Sequence, residues 1–222
     1  MITVEGSHRA GAPGVGSKTL IGLAAVAAVM FVVVAALPYR VFLGSEDAAK
    51  RALQDFQFSY YPRRAWLLTH IAGALVALLA GPVQLWLGLH NVKMELHRKL
   101  GLIYIAGMAV GSVGAFGLAL KTDGGPVFGS GLFFLGVAWI TTTSLAYVAI
   151  RKGLVDQHKE WTIRSYVVTF AFVTFRATQL ALVARGLPVQ QAVEIASWSC
   201  WALPLLATEA VIQTRKMVEL RS

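Results

Sequence analysis

The sequence predicts an all-α fold, a polytopic transmembrane helix bundle of about six spans with both termini in the cytoplasm. Three observations predict it. The 222 residues are 56% apolar and only 14% charged, far from the composition of an ordinary soluble domain. The apolar residues fall into runs of about 20, the length that crosses the hydrocarbon core of a bilayer. The basic residues behind the net charge of +9 sit between those runs and not in one patch, which suits the inner leaflet and gives no footprint for nucleic acid.

Residues 1–17 are rich in Gly, Ala and Ser without apolar periodicity and read as a flexible tail. The domain proper runs over 18–214 and opens with a first span at about residues 20–37. Arg9 and Lys18 stand ahead of it as in a signal peptide, but the length of the run fits a retained membrane helix. An interfacial segment follows at about 39–64, where Ser45 before acidic residues starts a short helix, Pro62 marks its end, and Phe56, Phe58, Tyr60, Tyr61 and Trp66 suit the headgroup layer.

The second span, about 65–89, carries His70, Gly73, Ala77, Gly81, Gln84 and Gly88 on one face, a stripe of small residues for close helix contact. Pro82 bends this helix and frees a carbonyl for a neighbour or water to satisfy. The third, about 97–120, sets His97, Gly101, Tyr104, Gly111 and Ala115 along another face, with a GxxxG from Gly107 to Gly111. Lys121 to Pro126 is a turn, and the fourth span, about 127–150, holds Trp139 and the hydroxyl run Thr141 to Ser144, read as structural because hydroxyls satisfy helix carbonyls. The fifth and sixth spans cover about 160–184 and 189–213, and residues 215–222 form a polar, basic tail.

Orientation rests on Lys and Arg in the connections. Eleven fall on the side of the two tails and seven on the other, five of those in or beside the long first connection, so both termini belong in the cytoplasm. The single cysteine, Cys200, excludes an intrachain disulfide and a CxxC site. Walker, GxSxG, HExxH and EF-hand patterns are absent, which leaves a nucleotide-driven pump or a hydrolase of those classes without support.

The fifth span concentrates the polar groups, with His158, Thr162, Ser165, Thr169 and Arg176 returning to one helical face. An Arg in the body of a membrane helix faces protein or water, so this stripe points into the bundle. Depth then sorts the polar groups into two layers. At the cytoplasmic end lie His90, His97 and His158, with Arg164 level with Glu209 on the sixth span. Toward the other side lie His70 and Arg176, with Glu194 as the acidic partner expected for Arg176. Imidazole is the commonest metal ligand, so His97 and His158 are candidates to bind a haem b iron or a single metal ion, with Arg98 and Arg164 suited to an anionic group beside it. His70 lies nearly a bilayer thickness, about 30 Å, from that layer, too far to share the same centre. With no second outer histidine, a two-haem wire is disfavoured, while a proton or quinone-headgroup site at His70, Arg176 and Glu194 survives.

These residues resemble a family of small bacterial integral-membrane proteins catalogued only as a domain of unknown function. The resemblance rests on His70-Ile-x-Gly73 with Gly81-Pro-x-Gln84, on His97-Arg-x-x-Gly101-x-x-Tyr104, and on His158-x-x-Trp161-x-x-Arg164-Ser165 with Arg176 beyond. It covers roughly residues 65–180, and Thr162 stands where the pattern has Met. It implies a polytopic bundle with His70, His97, His158 and Arg164 as the positions of interest, and no activity.

The leading expectation is therefore a multi-pass protein of a bacterial inner membrane of unassigned role, whose specific hypothesis is a haem or metal held by His97 and His158 with Arg164 as a clamp for an anionic group; the same histidines are equally able to hold helix ends through backbone carbonyls or to face headgroups. An alternative is a structural or assembly subunit without a cofactor, beside another membrane protein or a second copy of the chain. A further alternative is a small proton-linked transporter using His70, Arg176 and Glu194.

Overall fold

The computed structural model describes Gly22, Val26, Val29 and residues 37–52 and 60–220. The expected tail at 1–17, nearly all of the first span at 20–37 and residues 53–59 of the interfacial segment lie outside the described residues. Among the described residues every regular element is helical and no strand occurs. Five helical segments are long and apolar enough to cross a membrane. They are built from helices α2 (Arg64–His90), α3 (Met94–Ala119), α4 (Gly125–Arg151), α5 (Val155–Thr169), α6 (Ala171–Ala184) and α7 (Val189–Glu219), α5 and α6 together forming one segment. Large apolar side chains such as Leu102, Leu180, Leu203 and Leu206 are more than half exposed around the outside. That ring of unpartnered apolar surface is what a bilayer covers.

The small-residue faces of α2 and α3 meet as the spacing anticipates. A Cβ on Gly73 would overlap the Gly111 backbone nitrogen, and one on Gly107 would sit 2.8 Å from the Gly73 carbonyl, so neither helix tolerates a side chain there. The connection between them, Asn91 to Lys93, turns through left-handed φ of 52° at Asn91 and 46° at Lys93. Helix α4 packs on α3, α5 and α7, α5 packs also on α2 and α7, and α6 leans mainly on α7.

Two helices carry an internal proline, and each freed carbonyl finds a donor. Pro82 has no N–H for the Leu78 carbonyl, which accepts instead from Tyr166 Oη at 3.2 Å. Pro204 likewise frees the Cys200 carbonyl, which accepts from Thr174 Oγ1 at 2.7 Å. Both donors come from the α5–α6 segment, so the hydroxyls of that segment close gaps in its two neighbours.

The fifth span is not one continuous helix. It breaks at Phe170, between α5 and α6. The Thr169 hydroxyl bonds back to the Ser165 carbonyl at 2.9 Å. Such back-bonding competes with the backbone ladder and bends helices. The last helix runs on to Glu219, through most of the stretch expected as a polar tail, because Lys216 is held by Glu160 of α5 at 2.8 Å.

Of the interfacial segment, Leu37–Leu43 is a 3-10 turn and Glu46–Ala52 is helix α1, whose start is marked by Ser45 Oγ accepting from the Ala48 N–H at 3.3 Å. Pro62 begins the next 3-10 turn and does not end α1. Phe42 and Ala49 pack with Tyr61, Leu67 and Leu118, and Arg63 bonds Lys121 O and Asp123, so the segment caps one end of α2 and α3.

Candidate functional site

The inner half of the bundle is organised around hydroxyls. Tyr104 Oη lies 2.8 Å from Ser165 Oγ and 2.5 Å from Thr169 Oγ1, Trp139 Nε1 donates to Thr169 Oγ1 at 2.7 Å, and Thr143 Oγ1 meets Ser165 Oγ at 2.7 Å. All five side chains are buried. Thr169 donates to the Ser165 carbonyl and Trp139 to Thr169, while the Thr143 hydroxyl has both Ser165 Oγ and, at 2.8 Å, the Trp139 carbonyl within reach. A network of this kind ties α3, α4 and α5 together, with Tyr104 at its centre.

Toward the cytoplasmic layer of the sequence reading, three histidines use the same device. His97 Nδ1 bonds the Gln84 carbonyl at 3.0 Å and His158 Nδ1 bonds the Ala146 carbonyl at 2.9 Å, each reaching the helix before its own. A carbonyl only accepts, so both Nδ1 atoms carry a proton, and in the neutral ring it is Nε2 that holds the lone pair. The rings stand 6.2 Å apart between centroids, with their planes at 83°. Both residues are half-buried. His90 is turned away on its own helix, with Nδ1 on the Trp86 carbonyl at 2.8 Å and its ring stacked on Trp86. Gln84 is 5% exposed, and its Oε1 has no hydrogen-bond partner beside Gly101. Among the described residues no group of three or more His, Cys, Asp or Glu converges to hold an ion.

Arg164 and Glu209, matched in depth by the sequence, are bonded. Arg164 places Nε at 2.8 Å and Nη2 at 2.6 Å from Glu209 Oε2, and Nη1 at 3.5 Å from Glu160 Oε2. Its guanidinium also lies over the Trp161 ring at 4.6 Å, and Lys216 completes the cluster through Glu160. Two cations thus face two carboxylates, and Arg164, 6% exposed, is already engaged. Arg98 is exposed and makes no salt bridge with a described residue.

The second layer is built around a cavity of about 590 Å³. Its wall is largely apolar, from α2, α3, α4, α5 and α6 with Val189 of α7, and has His70, Arg176, Gln179, Tyr60 and Thr122 as polar groups. His70 Nδ1 bonds the Gly111 carbonyl at 2.9 Å, which again leaves Nε2 with the lone pair. Its ring lies 4.7 Å from that of Phe172, one helical turn ahead of Arg176. Arg176 Nη1 bonds Gln179 Oε1 at 2.9 Å. Glu194 is elsewhere: it accepts from Gln190 at 2.7 Å, lines a shallow surface depression with Trp198, and makes no salt bridge with Arg176. Tyr60, at the mouth, bonds Thr122, and burial raises its phenol above the ordinary tyrosine value.

Sequence reasoning missed Glu160, Lys216, Gln179 and Thr122. Glu160 is one turn before Arg164 and Gln179 three residues after Arg176, so both were within local helical reach. Lys216 and Thr122 are brought in by other elements and carry no local signal.

An apolar exterior around a hydrogen-bonded polar interior defines a multi-pass membrane protein. Residues 67–212 match the family described as "Predicted membrane protein (DUF2306)", and the chain belongs to that family, whose function is unknown. No curated protein and no solved structure matches the chain.

Proposed function

We propose that the chain is a six-span protein of a bacterial inner membrane, with domain boundaries as read above and both termini in the cytoplasm, and that His97 and His158 would hold one b-type haem at its cytoplasmic end. The observation that carries this reading is the His97–His158 pair, 6.2 Å between ring centroids with each Nδ1 held by a backbone carbonyl. A bonded Nδ1 fixes the tautomer and turns Nε2 outward as a ligand. Imidazole nitrogens sit about 2 Å from a coordinated metal, so ring centres 6.2 Å apart lie within the span that two imidazoles sharing one metal would have. The donor count favours haem over a lone ion. Among the described residues no third His, Cys, Asp or Glu joins the two imidazoles, which would fall short of a structural zinc site, whereas a haem iron takes its other four ligands from the porphyrin.

The haem supplies one-electron redox chemistry when bound. The role of the chain is to hold and tune it. Arg98 would be the cation for a propionate, in place of Arg164, whose guanidinium is paired with Glu209 and Glu160. The test is the absorption spectrum of the full chain, expressed with haem supplied and purified in detergent. A Soret band in the wild type that is lost or shifted in both His97→Ala and His158→Ala supports the reading. A correctly folded wild type that stays colourless returns the pair to a structural role, in which the chain serves as a subunit held by its hydroxyl network.

A further inference from the structure

We infer that the cavity between α2, α3, α4, α5 and α6 is a binding site for a lipid-soluble quinone or quinol, a planar dioxygenated ring on an apolar tail. This inference stands independently of the haem reading and rests on different residues. The volume, about 590 Å³, is that of a site for a small ligand, and the wall is mostly apolar with a few polar groups placed among it.

The polar groups are of two kinds. His70 gives its Nδ1 proton to the Gly111 carbonyl, so its Nε2 can only accept, and it takes the hydroxyl proton of a quinol in a hydrogen bond. Arg176 only donates, and it serves a quinone or quinol oxygen. Both line the same cavity, and Phe172, one turn from Arg176, is ring to ring with His70 at 4.7 Å. Phe172 also meets Trp139 at 5.9 Å in an edge-to-face contact, so an aromatic wall stands beside the polar pair, suited to a flat ring. A fatty-acid carboxylate would use Arg176 but set its oxygens against the His70 lone pair. Leu180, Val183 and Val189 also line the cavity and are 67%, 37% and 43% exposed, an accessible apolar edge. A tail therefore leaves the site directly among acyl chains.

The test titrates decylubiquinone into the purified full chain in detergent micelles and reads quenching of tryptophan fluorescence, Trp139 being part of the wall. Expected are saturable quenching in the wild type, affinity weakened at least about tenfold in His70→Phe and Arg176→Gln, and no displacement by an equal concentration of oleate. Leu132→Trp, which fills the cavity without touching its polar groups, must weaken binding as well. That variant keeps the test valid when a polar substitution perturbs folding. Absence of saturable quenching, unchanged affinity in folded variants, or displacement by oleate overturns the inference, the last by assigning the cavity to acyl chains.

Discussion

Tyr166 and Pro82 offer a prediction whose size follows from one missing proton. The Leu78 carbonyl is buried in α2 and has no intrahelical donor because Pro82 lacks an N–H, and Tyr166 Oη supplies the bond at 3.2 Å. Removing one partner leaves a buried acceptor unsatisfied, which costs about 1–3 kcal/mol. Tyr166→Phe keeps the ring, which lies against Gly81 so closely that a Cβ there would overlap it, and removes only the hydroxyl. The expected loss is about 1–2 kcal/mol, toward the lower part of that range because the hydrogen bond is long. Pro82→Ala restores an N–H to the Leu78 carbonyl, so in that background the loss of the hydroxyl falls to under about 0.5 kcal/mol. The assay is a double-mutant cycle of unfolding free energies from SDS titration in mixed micelles, followed by far-UV circular dichroism. Equal costs of Tyr166→Phe in the two backgrounds would refute the reasoning, because the hydroxyl would then be acting elsewhere.

The same cycle applied to Thr174→Val and Pro204→Ala is expected to give a loss of about 1–2 kcal/mol that Pro204→Ala relieves, since the Thr174 hydroxyl serves the Cys200 carbonyl. Arg164→Gln leaves Glu209 and Glu160 facing each other without their shared cation and is expected to cost about 2–3 kcal/mol, below the range for a fully buried pair because the Glu209 side chain is 41% exposed. Glu209→Gln in that background should recover part of the loss, read by the same titration. Gly73→Ala is expected to cost about 3 kcal/mol, the upper part of the overpacking range, because its Cβ meets backbone of α3 that has no side chain to yield. A thermal melt unchanged from wild type would show that α2 and α3 can part without penalty.

Much of the frame was legible in the sequence, and the reasons differ from place to place. The α2–α3 seam could be read because a stripe of glycines at helical spacing has few uses other than close contact. The Arg164–Glu209 bond could be read from depth alone, since a rise of about 1.5 Å per residue places both groups at one level in antiparallel helices. Depth did not suffice for Arg176. It lies at a level open to Glu194, but Glu194 faces Gln190 on another surface, and Arg176 turns to Gln179 on its own helix. Azimuth decides such pairs, and it depends on how α6 leaves the break at Phe170. That break was itself hidden, because a threonine hydroxyl bonds its own helix or a neighbour according to what surrounds it. Pro82 announced a freed carbonyl, but the donor came from a residue 88 positions away in the chain. The cavity was the least legible feature, being a void shared by side chains of several helices.

The central claim concerns His97 and His158, and electron paramagnetic resonance of the oxidised, haem-supplied full chain tests it most directly. Were the two imidazoles, whose planes stand at 83°, to hold a haem iron, the oxidised protein would give a low-spin signal that is converted to high spin in His97→Ala and in His158→Ala. A low-spin signal that persists unchanged in either variant, or a folded wild type without haem iron, would contradict it.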